Sequence, residues 1–256
     1  MDWDPSKYLQ FADQRSRPFV DLTSQIAASE PRHVVDAGCG SGELTELLSR
    51  RWPAAHVFGF DSSPDMIERA RRLATDQLSF AEGDVRDWRP GTDVDVLVSN
   101  AVLQWVPDHL DVIGRWADEL ASGAWFGWQV PGNFRSPSHV LMRELAESPQ
   151  WAAKLDGVLR HHDAVAEPAD YAGVLLERGW EASAWETTYL HMLSGSDPVL
   201  DWVRGTGLRP VLAALDEDDA REFTDTYARW LRQAYPAGRF GTPFPFRRLF
   251  CVGRKP

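Results

Sequence analysis

The 256-residue chain has little cysteine, little lysine and no long apolar run, and each shortage excludes something. Its two cysteines, Cys39 and Cys251, stand far apart and form neither a disulfide framework nor a metal-ligand set. The seven histidines show no HxxxH or HxH spacing, and adjacent His161 and His162 would diverge on a helix, so no metal is expected. No stretch approaches the ~18 apolar residues of a membrane-spanning helix. The opening MDWDPSK carries acids and lacks the basic and apolar regions of a signal peptide, so a cytosolic location is expected. Lysine occurs only at Lys7, Lys154 and Lys255; arginine is the default cation, and an arginine by itself says little. The 27 basic residues face 38 acidic ones, and a net charge of −11 argues against nucleic acid or an anionic membrane as partner.

What is present is an ordinary globular composition, 43% hydrophobic and 25% charged, long enough for one large domain with an inserted cap. From about residue 32 to 130, short apolar runs alternate with helical patterns. HVVDAG (33–38), HVFGFD (56–61), LSFAEGD (78–84), VDVLVSN (94–100) and AWFGWQV (124–130) read as strands. Helices are expected over 42–51, 63–73 and 108–120, with Ser63 as N-cap and Pro64 at the first helical position. That alternation predicts an α/β fold, a doubly wound parallel sheet with helices on both faces. Further on, helices are expected over 138–147, 149–159, 168–178 and much of 197–235, a strand over 182–193, and a closing strand RRLFCVG (247–253). Residues 131–165 and 195–240 read as helical cap insertions in a single domain.

The most informative stretch is Asp36-Ala37-Gly38-Cys39-Gly40-Ser41-Gly42-Glu43, directly after the first strand. Its glycines allow a tight turn and close approach of a ligand to the backbone, and the next helix points free N–H groups at that ligand. Asp61 ends the following strand 19 residues past Gly42, where a carboxylate can accept both hydroxyl hydrogens of a ribose. A nucleoside-containing cofactor follows. Glu43 occupies the last glycine position of a dinucleotide fingerprint, which disfavours a pyrophosphate, and no GK[ST] follows. The acid before the loop, Asp36, suits a cationic group such as the methionine part of S-adenosylmethionine. Cys39 has no basic neighbour and reads as a small apolar filler.

DAGCGSGELT, GFDSSPDMIERAR, AEGDVRDW and DVLVSNAVLQWVPDH together resemble the motifs of class I S-adenosylmethionine-dependent methyltransferases over residues 34–109. The resemblance implies a Rossmann-like seven-stranded sheet with an antiparallel last strand. It implies that Asp36, Gly38, Cys39 and Gly40 line the methionine moiety, and that Asp61 holds the ribose. Ser62 and Met66 would border the adenine, Asp84 and Val85 would bind it, and Asn100 and Ala101 would sit near the sulfonium. Read without it, Met66 is a core residue and Asp84 a turn aspartate.

The outer segments, WDPSKYLQFADQRSRP, QVPGNFRSPSHVLMREL, WETTYLH, LDWVRGTGLRP and TPFPFRRLF, resemble the trans-aconitate methyltransferase family within that class. Methyl transfer to one carboxylate of a small tricarboxylate is implied. Arginine suits bidentate binding of carboxylates. Candidate acceptor residues are Tyr8, Arg15, Trp105, Gln129, Asn133, His139, Tyr189, Arg209 and Arg247, with Thr188, His191, Trp202 and Arg248 as further donors or walls. Arg15 with Tyr8 could instead bind the methionine carboxylate. Arg247 and Arg248 alternate faces on a strand, so at most one points into a pocket. A carboxylate is ionised at neutral pH, so no catalytic base is expected, only positioning. A monomer or weak homodimer is expected. The alternatives are a methyltransferase for another acid, thioester-bound acid or amine, a nicotinamide oxidoreductase, and a non-enzymatic S-adenosylmethionine-binding module.

Overall fold

The computed structural model describes residues 16–159 and 164–256. A helix, α1 (Arg17–Ser24), precedes strand β1 (His33–Ala37), α2 (Glu43–Arg51), β2 (His56–Asp61), α3 (Pro64–Ala70), β3 (Leu78–Glu82) and β4 (Val96–Asn100). Then come a 3-10 turn (Leu103–Trp105), α4 (His109–Glu119), β5 (Trp125–Pro131), α5 (Pro137–Ala146), α6 (Ala152–Leu155) and α7 (Pro168–Leu176). The chain closes with β6 (Glu181–Leu193), α8 (Pro198–Arg204), α9 (Arg209–Ala214), α10 (Glu217–Ala234) and β7 (Thr242–Arg254). The sheet has seven strands in the order β3-β2-β1-β4-β5-β7-β6. Pairs β3-β2, β2-β1, β1-β4 and β4-β5 are parallel, and β7 is antiparallel to β5. The strand order reverses direction between β1 and β4, the topological switch point where open α/β sheets bind ligands beyond their strand ends.

Local chemistry explains the helix starts. Ser63 Oγ accepts from the Met66 amide, and Pro64, with its preset φ, opens α3. That helix stops at Ala70 and tightens into a 3-10 turn over 71–73, short of the expected α-helix to 73. The helix expected over 149–159 shrinks to the single turn Ala152–Leu155, because Asp156 leaves the helical region with ψ 126° and Gly157 takes φ +69°. The closing strand begins five residues before the expected 247, at Thr242. Helix α1 was not expected from the pattern; it buries Phe19, Val20 and Leu22.

The chain divides into two compact units. The first takes the chain through Pro131, then Ala166–Glu186 and Arg248–Pro256. Its parallel strands are apolar on both faces, with Val34, Ala37, Val96, Leu97, Val98 and Phe126 fully buried. A run of rings, Phe60–Trp88–Trp116–Phe126–Trp128–Tyr171, packs with centroids 4.7–5.9 Å apart. The second unit takes Gly132–Val165 and Thr187–Arg247. Its core joins Trp151, Val203, Leu208, Phe223, Tyr227, Leu231 and Phe244, with α5 packed on α10. Among the described residues no helix is long and apolar enough to cross a membrane.

Candidate active site

The first unit builds a polar site at the C-terminal ends of its parallel strands. Gly38 and Gly42 adopt φ of +80° and +88°, and a Cβ at Gly38 would meet Val102 at 2.1 Å. Only glycine turns the chain here without strain. Among the described residues, a Cβ at Gly40 would meet nothing within 4 Å, so they leave that side of the loop open. The amides of Gly38 and Cys39 both donate to Phe60 O, at 2.8 and 2.9 Å, tying the loop to the end of β2.

Asp61 then fixes the loop. Its Oδ2 accepts from the Gly40 amide at 3.0 Å and its Oδ1 from the Ser63 amide at 2.9 Å. Each oxygen keeps lone-pair capacity for a further donor. Asp36 is 2% exposed, and Thr45 Oγ1 donates to its Oδ2 at 2.7 Å. Burial pushes its pKa up to about 7, the Thr45 bond opposes that rise, and the Asp61 charge adds to it. Thr45 escaped the reading of the sequence; a hydroxyl on the helix flank one turn past the loop was its only signal. Burial, with Asp36 and Asp61 nearby, drives the Cys39 thiol far up, so it stays a neutral buried side chain.

Met66 is 37% exposed beside exposed Ser62 at the start of α3, which removes the reading of Met66 as core. Asp84 is paired with Arg86: its Oδ1 accepts from the Arg86 amide at 2.8 Å, and its Oδ2 accepts from Arg86 Nη2 at 2.5 Å. Those hydrogen bonds and the guanidinium charge hold its carboxyl below the usual carboxylate range. Val85 beside it is buried. Ala101 has φ +57°, alone among described non-glycine residues in the left-handed region. Such a conformation stores on the order of 1–2 kcal/mol. Its N–H donates to Gln129 O at 2.9 Å and its carbonyl accepts from Gln104 Nε2 at 2.6 Å. Asn100 Oδ1, just before it, is buried without a hydrogen-bond partner among the described residues. Trp105 follows in the same turn and is 55% exposed.

The acceptor candidates divide between the units. Gln129 and Arg248 belong to the first, where Arg248 Nη1 donates to Gln129 Oε1 at 3.3 Å. Asn133, His139, Tyr189, Arg209 and Arg247 belong to the second. There Asn133 uses its amide on the backbone: Nδ2 donates to Arg247 O at 3.0 Å and Oδ1 accepts from the Arg247 amide at 2.8 Å. Desolvation, with Arg143 nearby, lowers the His139 pKa to about 4, so its ring is neutral at physiological pH. The Tyr189 ring lies near-parallel to His191 at 6.5 Å, and His191 stacks on Trp202 at 4.8 Å. Arg209 is exposed at the start of α9. Tyr8 and Arg15 lie outside the described residues.

Residues 34–123 match the sequence profile of a family described as a methyltransferase domain. The chain is 54% identical to a Streptomyces coelicolor protein named trans-aconitate 2-methyltransferase, over 99% of this chain and 87% of that one. Among solved structures, it resembles the YcgJ protein from Bacillus subtilis (TM-score 0.61, 14% identity, 93% and 98% of the two chains). It also resembles Streptomyces coelicolor geranyl diphosphate C-methyltransferase, solved with S-adenosyl-L-homocysteine (TM-score 0.52, 15% identity, 94% and 79%).

Proposed function

The chain belongs to the trans-aconitate 2-methyltransferase family, and from that premise we propose that it transfers a methyl group from S-adenosylmethionine to one carboxylate of trans-aconitate. The products are the monomethyl ester and S-adenosylhomocysteine. The observation that carries this reading is identity of about half the residues over nearly the full length of the chain.

The site geometry fits the cofactor. The open side of Gly40, the two-oxygen Asp61 carboxylate with spare lone pairs and the unpartnered Asn100 Oδ1 suit a ligand with ribose hydroxyls and positive charge. Asp61 would hold the ribose, Gly38, Cys39, Gly40 and Asp36 the methionine part, and Asn100 and Ala101 the sulfonium end. Ser62, Met66, Asp84 and Val85 would border the adenine. When bound, S-adenosylmethionine supplies a methyl group on a positively charged sulfur.

The chain's residues then have a positioning task. A carboxylate has a reference pKa near 4, so no side chain needs to remove a proton from it. Holding the acceptor oxygen in line and excluding water supply the rate. His139, neutral at physiological pH, and the Tyr189 hydroxyl are not needed as bases. We place the protein in a reducing, cytosolic compartment, in keeping with two free buried thiols, and as a monomer or weak homodimer. Its net charge of −11 supports small-molecule partners over nucleic acid.

The test is a panel of small acids incubated with the protein and methyl-labelled S-adenosylmethionine, with mass analysis of the products. Trans-aconitate should gain one methyl far faster than cis-aconitate or citrate. No labelled ester from trans-aconitate would overturn the reading.

A further inference from the structure

The carboxyl ends of β4 and β5 hold buried amide groups that the scaffold leaves half used. Gln129 is 1% exposed and Gln104 5% exposed. Among the described residues, Gln129 Nε2, Gln104 Oε1 and Asn100 Oδ1 are buried without a hydrogen-bond partner. Buried polar atoms are nearly always paired, so unpaired ones on the register partners Asn100 and Gln129, at the strand ends where α/β sheets bind ligands, point to a binding role.

Their polarity is fixed by neighbours whose own roles are unambiguous. Arg248 can only donate, so the Gln129 atom facing its Nη1 is the oxygen, and the unpartnered atom is the Nε2 donor. The Ala101 carbonyl can only accept, so the Gln104 atom facing it is the nitrogen, and the unpartnered atom is the Oε1 acceptor. Asn100 lies opposite Gln129 in register, Gln129 opposite Phe250, and Arg248 is two residues from Phe250. Register partners share a face and strand side chains alternate, so Asn100, Gln129 and Arg248 project to one side of the sheet. Among the described residues, an unpartnered acceptor, Gln104 Oε1, therefore lies just past the end of β4, and an unpartnered donor, Gln129 Nε2, near the end of β5 beside the Arg248 guanidinium.

We propose that Gln129 and Arg248 form the anion-recognising pair of the acceptor site, a specificity-determining grip on one carboxylate group. The inference rests on the reading of this chain as a carboxylate methyltransferase. It selects Arg248 from the neighbouring arginines: Arg247 alternates to the other face and has its backbone held by Asn133. Arg248 supplies charge, and Gln129 serves twice: its oxygen orients the guanidinium while its NH2 donates into the site. A guanidinium with a fixed amide donor beside it matches the planar, two-oxygen geometry of a carboxylate.

The test titrates trans-aconitate into S-adenosylhomocysteine-loaded protein by calorimetry and measures acceptor KM and kcat. Arg248→Ala should weaken acceptor binding about thirtyfold or more, and Arg248→Lys, which keeps the charge but loses the fork, about tenfold. Gln129→Leu, apolar at a buried position, should raise acceptor KM about tenfold with the S-adenosylhomocysteine Kd and Tm nearly unchanged. Unchanged acceptor binding in all three variants would overturn the proposal. So would parallel losses of Tm, cofactor affinity and acceptor binding in Arg248→Lys and Gln129→Leu, which would mark a structural role. If wild-type protein ignores trans-aconitate but binds another carboxylic acid that Arg248→Ala loses, the subsite stands and the substrate reading falls. If wild type binds no carboxylic acid, both fall.

Discussion

The two compact units treat buried polarity in opposite ways. In the second unit the buried polar side chains serve the scaffold. Tyr227 OH donates to Ser138 O at 2.6 Å, the Ser138 amide donates to Tyr235 OH at 3.1 Å, and Asn133 clamps Arg247. In the first unit, at the strand ends, half-buried Asp61 and Asn100 and buried Gln104 and Gln129 are held in place yet, among the described residues, keep unused hydrogen-bonding capacity. The two patterns answer different needs. A saturated network rigidifies, whereas a fixed but unsaturated one is prepared to bind. Substitutions at the strand-end groups of the first unit should therefore act on ligand binding and pH response as well as stability, and those in the Ser138–Tyr227–Tyr235 network of the second on stability alone.

The largest effect is expected at Gly38. A methyl there would meet Val102 at 2.1 Å in a left-handed backbone, so Gly38→Ala should cost about 3–5 kcal/mol of stability and abolish cofactor binding. Denaturant melts and calorimetry with S-adenosylhomocysteine measure both.

Asp36 comes next, with the opposite sign. Its folded pKa of about 7 lies above the ordinary 3.8, so the folded state binds the extra proton between those values. Stability contributed by the neutral acid is present at low pH and lost as pH rises from about 4 to about 7. Asp36→Asn keeps an oxygen for Thr45 and removes the charge. It should stabilise the cofactor-free protein by about 2–4 kcal/mol at pH 8 and by little near pH 4. Melting temperatures at the two pH values decide it; equal shifts at both would refute the burial argument. The same variant should weaken S-adenosylmethionine binding, because the cationic ligand favours the ionised carboxylate.

The smallest effect should fall in the second unit. Tyr227→Phe leaves the buried Ser138 carbonyl without its donor and should cost about 1–2 kcal/mol. It should leave the S-adenosylhomocysteine Kd unchanged, and a shifted Kd would blur the contrast between the units.

This division also governs what the sequence could reveal. The glycine loop, Asp61 and the Ser63-Pro64 helix start depend on residues close in the chain, so their pattern is readable directly. The five parallel strands read as short apolar runs because both faces are buried. Helix α1 stayed hidden because its apolar stripe spans only two turns among Arg17, Pro18 and Asp21. The abbreviated α6 depends on a glycine turn that a favourable helical pattern concealed. Asn133 and Arg247 are 114 residues apart, and Gln129 and Arg248 119, so only strand register reveals what each amide holds. Thr45 and Gln104 were missed for the same reason: their significance lies in a partner's burial, not in their spacing.

The central claim is that an already ionised carboxylate is methylated by positioning alone, and the pH dependence of kcat tests it most directly. With trans-aconitate and cofactor both saturating, Asp36 titration drops out of kcat. The profile should be flat from about pH 6 to 8.5, and His139→Gln should keep a substantial part of the activity, since that ring is already neutral above about pH 4. A kcat that rises with an apparent pKa near 7 and falls 10²-fold or more in a single histidine variant would show a proton-abstracting base, and would contradict the account.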